Sequence, residues 1–162
     1  MKLDKLNSIQ TRIHKVGLHI KSHDFDRPWG GFFVIDEVDT KKFILQFFPE
    51  MESELLASSL PMSPKILCVA PGQQLSWQYH HRRSEIWKLI DGKAAYKKSD
   101  TDIQGPIEIM ETDKILKLEC GERHRLIGLN EWGIVAEIWH HADLDNPSDE
   151  EDIVRIQDDY GR

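Results

Sequence analysis

Gln78-Tyr79-His80-His81-Arg82-Arg83-Ser84-Glu85-Ile86-Trp87 is the stretch on which the reading of this chain turns. Gln78 and His80 stand two apart, so on a strand their side chains leave the same face. His81-Arg82-Arg83-Ser84 then reverses the chain, Glu85 opens the next strand, and Asp91-Gly92 makes a second turn. A hairpin of this form brings Glu85 back beside His80 on one surface. His124 follows about forty residues later, after Gly121, at the start of another expected strand.

Working outward, short apolar segments separated by turn residues are expected to form strands at Phe32–Asp36, Lys42–Phe48, Lys65–Ala70, Leu75–Tyr79, Glu85–Ile90, Lys93–Lys97, Ile107–Met110, Ile115–Leu118, His124–Leu129 and Gly133–Trp139. Pro71-Gly72, Asp91-Gly92, Gly105-Pro106 and Asn130-Glu131-Trp132-Gly133 are the turns between them. Many short strands at near-regular spacing predict an all-β sandwich or barrel, not alternating βαβ units. Leu3, Leu6, Ile9 and Ile13 recur at helical spacing, with Gly17 placed to end a short N-terminal helix. Glu50–Pro64 is expected to be an inserted loop with a small helix around Met51–Leu60. In the acidic tail, Ser148 and Glu151 suit a capping box for one helical turn. The chain divides into a helical extension, residues 1–26, and one domain, residues 27–162.

Composition narrows the function. Lys plus Arg number 21 against 28 Asp plus Glu, a formal charge of −7, which speaks against nucleic acid as a partner. His80-His81-Arg82-Arg83 is too short for a phosphate-backbone stripe and suits a pocket for a small anion. Two cysteines without Cys-x-x-Cys spacing imply free thiols, not a disulfide framework or a thiolate zinc site. The N-terminus lacks an apolar signal core and no apolar run approaches a membrane span, so a cytoplasmic protein with no membrane partner is expected. Gln78, His80, Glu85 and His124 form a nitrogen–oxygen donor set for one divalent ion, with Zn, Mn, Fe, Co and Ni all suited. His14, His19, His23, His140 and His141 show no comparable pattern.

These residues carry a resemblance. Gly72, five residues, Gln78-x-His80, four residues, Glu85, six residues and Gly92 resemble the first cupin motif, with Gln for the usual first His. Glu119-Cys120-Gly121-Glu122-Arg123-His124 resembles the second, with Glu119 in place of a proline. Arg27-Pro28-Trp29-Gly30, Glu85-x-Trp87, Glu151-Asp152-Ile153-Val154-Arg155 and the closing Asp159-Tyr160-Gly161-Arg162 are similar to the cupin domain of type II mannose-6-phosphate isomerases. The resemblance spans roughly residues 27 to 162. It departs from the family at Trp77, where a smaller aliphatic residue is usual, and at Arg82, where a third His is usual.

The resemblance implies a double-stranded β-helix, the jelly-roll barrel of cupins, and a bound divalent metal, zinc first. It also implies isomerisation of mannose 6-phosphate to fructose 6-phosphate. Members of that family often carry a mannose-1-phosphate guanylyltransferase domain ahead of the barrel; this chain lacks the length for one, so isomerase chemistry alone is expected. Moving a proton between adjacent sugar carbons needs a general base, for which Glu137 and Glu85 are the candidates. A sugar phosphate needs an anion clamp, and Arg125, Arg82 and Arg27 are the first candidates, with Arg155 and Arg162 as alternatives that could instead pin the tail. Two other functions fit the same donors: a sugar-binding barrel without turnover, and a non-haem iron oxygenase built on His80, Glu85 and His124. Cupin barrels often pair, so a homodimer is a further expectation.

Overall fold

The computed structural model describes residues 1–162. Nine strands are joined in one hydrogen-bonded antiparallel arrangement curled into a jelly-roll barrel, as expected, with helices on one outer face. The strands are β1 (Ile20–Asp24), β2 (Gly30–Ile35), β3 (Met62–Val69), β4 (Trp77–Tyr79), β5 (Arg83–Ser99), β6 (Glu108–Ile109), β7 (Ile115–Leu118), β8 (Arg123–His141) and β9 (Val154–Gln157). The ladder runs β1-β2-β3-β8-β4-β9, with β5 pairing β6, β7 and β8. Through β1, paired with β2, the first 26 residues join the same sheet as the rest.

Alternation along these strands sorts residues into two cores. Leu67 and Val69 on β3, Trp87 and Leu89 on β5, and Val135 on β8 fill the barrel interior. Their neighbours Ile66, Cys68, Ile86, Ile134, Ala136 and Ile138 face outward beneath the helices. Helix α1 (Lys2–Lys15) lays Leu6, Ile9 and Ile13 on that outer face, while Leu3 is exposed. Burying three such side chains contributes about 1.5–3 kcal/mol each, which a lone 14-residue helix needs because its own hydrogen bonds leave it marginal. Gly17, at φ +83°, turns the chain off the helix end as its position predicted.

Four sequence expectations are corrected. Lys42–Phe48 is not a strand: Thr40–Phe47 forms helix α2, with Phe43 and Ile44 buried and Phe47 partly so. That i, i+1, i+4 spacing gives one apolar helical face, and it outweighs the β propensity of the Phe and Ile side chains. The inserted helix is shorter than expected, α3 (Glu52–Leu56), and Met62–Pro64 of the expected loop belong to β3. Asp91-Gly92 and Asn130–Gly133 are not turns, since β5 and β8 run through them as one paired ribbon from Arg83↔His141 to Ser99↔Arg123. Register slips between Leu89 and Asp91 and between Gly92 and Ala94 bend it there. Gly92 has φ +73°, and a Cβ on it would lie 1.7 Å from the Trp132 carbonyl oxygen, so only glycine permits the close crossing. Finally, the Ser148 hydroxyl caps no helix. It donates to Asp152 Oδ2 at 2.5 Å, and the tail continues into β9 against β4.

Candidate metal centre

The long ribbon places the chemistry. On the inner face of β5 stand Arg83, Glu85 and Trp87, two residues apart; across the ladder, Glu85 faces Trp139 and Trp87 faces Glu137. On the other side of β8, Lys65 of β3 pairs with Glu137. Gln78 of β4 faces His124. Register alone therefore gathers two imidazoles, two carboxyls, an amide and two cations into one end of the barrel, all of them buried.

His80, Glu85 and His124 offer donor atoms that lie within 4.8 Å of one another. His80 Nε2 is 3.2 Å from Glu85 Oε1, and His124 Nε2 is 3.3 Å from Glu85 Oε2. Each ring's other nitrogen meets a carbonyl: His80 Nδ1 donates to Asp152 O at 2.7 Å, and His124 Nδ1 to Glu122 O at 2.9 Å. A carbonyl can only accept, so both Nδ1 atoms carry the proton and both Nε2 lone pairs point inward, the tautomer that metal-binding histidines adopt. His124 Nε2 is buried with no hydrogen-bond partner in the protein, which a cation between the rings would satisfy. The three residues could thus hold a metal ion. Gln78 lines the same cavity, its Oε1 accepting from Ser76 Oγ at 2.6 Å with one lone pair still free.

Charge at the site is graded. Burial lowers the pKa of His80 and keeps its imidazole neutral. Burial alone would raise the Glu85 carboxyl, but His80, Arg83 and His124 together hold it well below the ordinary carboxylate range. Glu137 goes the other way: burial first, then repulsion from Glu85, push its pKa well above that range. Trp87 Nε1 bridges the two, donating to Glu137 Oε1 at 2.9 Å and Glu85 Oε2 at 3.1 Å. Two carboxyls thus sit side by side, one ionised and one favouring the neutral acid.

Of the expected anion clamps, the structure brings only Arg27 to the cavity, together with the alternatives Arg155 and Arg162. Arg82 lies outside it, held by Asn146, the Pro147 carbonyl and Asp149, because its place in the turn aims it at the tail. Arg125 is next to inward-facing His124 and so points outward. Its Nε donates to Leu75 O at 2.9 Å, and Nη2 is 3.8 Å from Asp159. Three residues were given no individual role from the sequence. Arg83 donates to Glu85 Oε1 at 2.9 Å and reaches His80 Nε2 at 3.2 Å. Lys65 and Arg83 each stand 3.4 Å from the Trp139 ring centre, and Lys65 also binds Glu150. The spacing Arg83-x-Glu85 and a Lys at the head of Ile66-Leu67-Cys68-Val69 were the available signals. Asp152 had none: its carboxylate accepts the backbone N–H groups of His81 and Arg82 across about seventy residues.

Comparison with known proteins agrees with this architecture. Capsular polysaccharide assembling protein CapF from Staphylococcus aureus superposes with a TM-score of 0.53 at 13% identity, over 86% of this chain and 34% of that one. Vicilin from tomato gives 0.54 at 14%, over 86% and 35%. Both show the fold alone. By sequence, the chain is 28% identical over 145 residues to the mannose-1-phosphate guanylyltransferase of Salmonella montevideo, covering 89% of this chain and 24% of that protein. It is 30% identical over 99 residues to the xanthan biosynthesis protein XanB of Xanthomonas campestris pv. campestris, covering 60% and 19%. The chain therefore spans about a quarter or less of the length of the curated relatives it matches. The family model for the mannose-6-phosphate isomerase C-terminal region matches residues 46–158, more than half of the chain, and the chain belongs to that family.

Proposed function

We propose that the chain is a sugar-phosphate aldose–ketose isomerase, interconverting mannose 6-phosphate and fructose 6-phosphate with one divalent ion, zinc first, on His80, Glu85 and His124. The observation that carries this is the pair of buried carboxyls bridged by Trp87, their pKa values displaced in opposite directions, facing a cavity lined by cations. A bound divalent ion would polarise the sugar carbonyl and stabilise the oxyanion that develops on it. Glu85 Oε1 accepts from Arg83 and Oε2 from Trp87, which leaves the acid–base work to Glu137. A carboxyl of raised pKa donates a proton at neutral pH and, once deprotonated, is a stronger base than an ordinary carboxylate. One such group can carry a proton between adjacent carbons.

Arg27, Arg155 and Arg162 surround the mouth and would take the phosphate, since guanidinium donates paired hydrogen bonds to its oxygens. The cavity volume is about 70 Å³, well below the ~300–1,000 Å³ of common ligand pockets, and Lys65 and Glu150 of its lining are bonded to each other. Substrate entry therefore requires the lining to open. A second reading is a sugar-binding barrel without turnover, which the burial of Glu137, 3% exposed and held by Trp87, favours. Free thiols at Cys68 and Cys120 are consistent with a cytoplasmic site of action, and no helix is long and apolar enough to cross a membrane.

A coupled assay on chelated and metal-restored protein tests both readings. Fructose 6-phosphate should form from mannose 6-phosphate, and Glu137→Gln should abolish turnover while keeping the metal. If no metal restores turnover on any sugar phosphate, the isomerase reading fails. Binding of mannose 6-phosphate without conversion would establish the alternative.

A further inference from the structure

The largest cavity is not the one lined by Gln78, Glu85 and Glu137. It lies on the opposite side of the sheet, under α1 and α2, with a volume of about 520 Å³, inside the range of small-molecule pockets. Ile9 and Ile13 of α1, Phe47 of α2, and Ile66 and Ile134 of the sheet give it apolar walls. One charged side chain in the lining is buried: Lys88, 5% exposed, on the outward face of β5. Glu50, itself 45% exposed, is the only group that accepts from its ammonium, which carries three donors. The other charged groups are at the rim: Arg12 is 53% exposed and held by Asp91, and Asp113 is exposed.

A strand lysine under a helix layer is costly to bury for packing alone, and an aliphatic residue would serve the apolar walls better. The geometry points to a second binding site here, for a small monocarboxylate with an apolar body, its carboxylate on Lys88 and its hydrocarbon against the isoleucines. The one buried charge is positive, and the rim charges Arg12, Glu50 and Asp113, of both signs, are exposed, so an anion with an apolar body matches the floor and a cation does not. Glu50, half exposed at the surface, occupies the ammonium until a ligand carboxylate replaces it.

Calorimetric titration of the full chain with octanoate and octanol tests the site. One saturable event is expected for each, octanoate being about tenfold the tighter, as a charge-assisted hydrogen bond to a desolvated ammonium implies. Lys88→Met should bring octanoate down to the affinity of octanol and leave octanol unchanged. Ile134→Trp, which fills the cavity, should abolish both; Val16→Trp at the mouth serves if that variant does not fold. His80→Ala, which disturbs only the barrel interior, should bind octanoate as the parent does. The site is refuted by folded protein that gives no saturable heat, by binding that survives both tryptophan variants, or by an anion preference that survives Lys88→Met. Sedimentation showing a dimer that Val16→Trp dissociates would also overturn it, because the cavity would then be a contact between two copies.

Discussion

The two faces of β5 bury side chains to the same extent and for opposite ends. Inward, Glu85 and Trp87 are packed among imidazoles, a second carboxyl and two cations, around a cavity of about 70 Å³. Outward, Ile86 and Lys88 face isoleucine and phenylalanine walls, with about 520 Å³ left open beneath α1. The interior pairs most of its polar groups, down to backbone carbonyls on His80 and His124, and leaves His124 Nε2 and Trp139 Nε1 without a partner. The outer layer relies on apolar burial and tolerates open volume because few polar groups there need partners. Polar density and cavity size are thus inversely related across one strand.

If the faces are independent, damage to one should spare the other. His80→Ala and His124→Ala should each reduce bound metal from one ion per chain to near none by elemental analysis, the largest effect expected. Unchanged metal content in both would remove the inner site altogether. Phe43→Ala, at a fully buried position under the helices, should cost about 3–5 kcal/mol in a denaturant titration while metal stoichiometry holds. Loss of metal in that variant would join the two regions into one cooperative unit.

Asp152→Ala unpairs the His81 and Arg82 N–H groups beside His80, so it should lower stability by about 1–3 kcal/mol and metal affinity by ~10-fold. In the parent protein, burial works against ionisation of Asp152, yet Ser148 and those N–H groups hold its pKa below the ordinary value. Its contribution is therefore present above the unfolded-chain pKa and lost as pH falls through the folded one. Acid unfolding of Asp152→Ala should lack that component.

Glu137→Gln is the mildest for stability. A carboxyl whose folded pKa is raised contributes fully at acid pH and loses that contribution as pH rises through the folded value. The glutamine variant should therefore gain on the parent as pH climbs above the usual carboxylate range. Parallel stability curves across pH would mean that Glu137 is ionised like any surface acid.

Much of the inner site was legible beforehand. His80, Glu85 and His124 follow from residue parity on strands and from a hairpin that returns one beside another. Lys42–Phe48 was misassigned because short apolar runs rich in Phe and Ile fit a strand and a helix about equally well. The cations were harder. Arg82 and Arg125 are adjacent in sequence to inward-facing residues, and that adjacency is what turns them away. Arg83 was read only as part of the short basic cluster, although it shares parity with Glu85.

Periodicity and turn residues were enough to establish an antiparallel all-β fold with an N-terminal helix, because side-chain direction and backbone freedom are properties of a few neighbouring residues; the resemblance narrowed it to a barrel. Which carboxyl stays neutral, which arginines ring the mouth, and that a cavity exists under α1 depended on contacts between residues fifty to more than a hundred positions apart. Burial and proximity set those properties, and both arise only when distant strands meet in register.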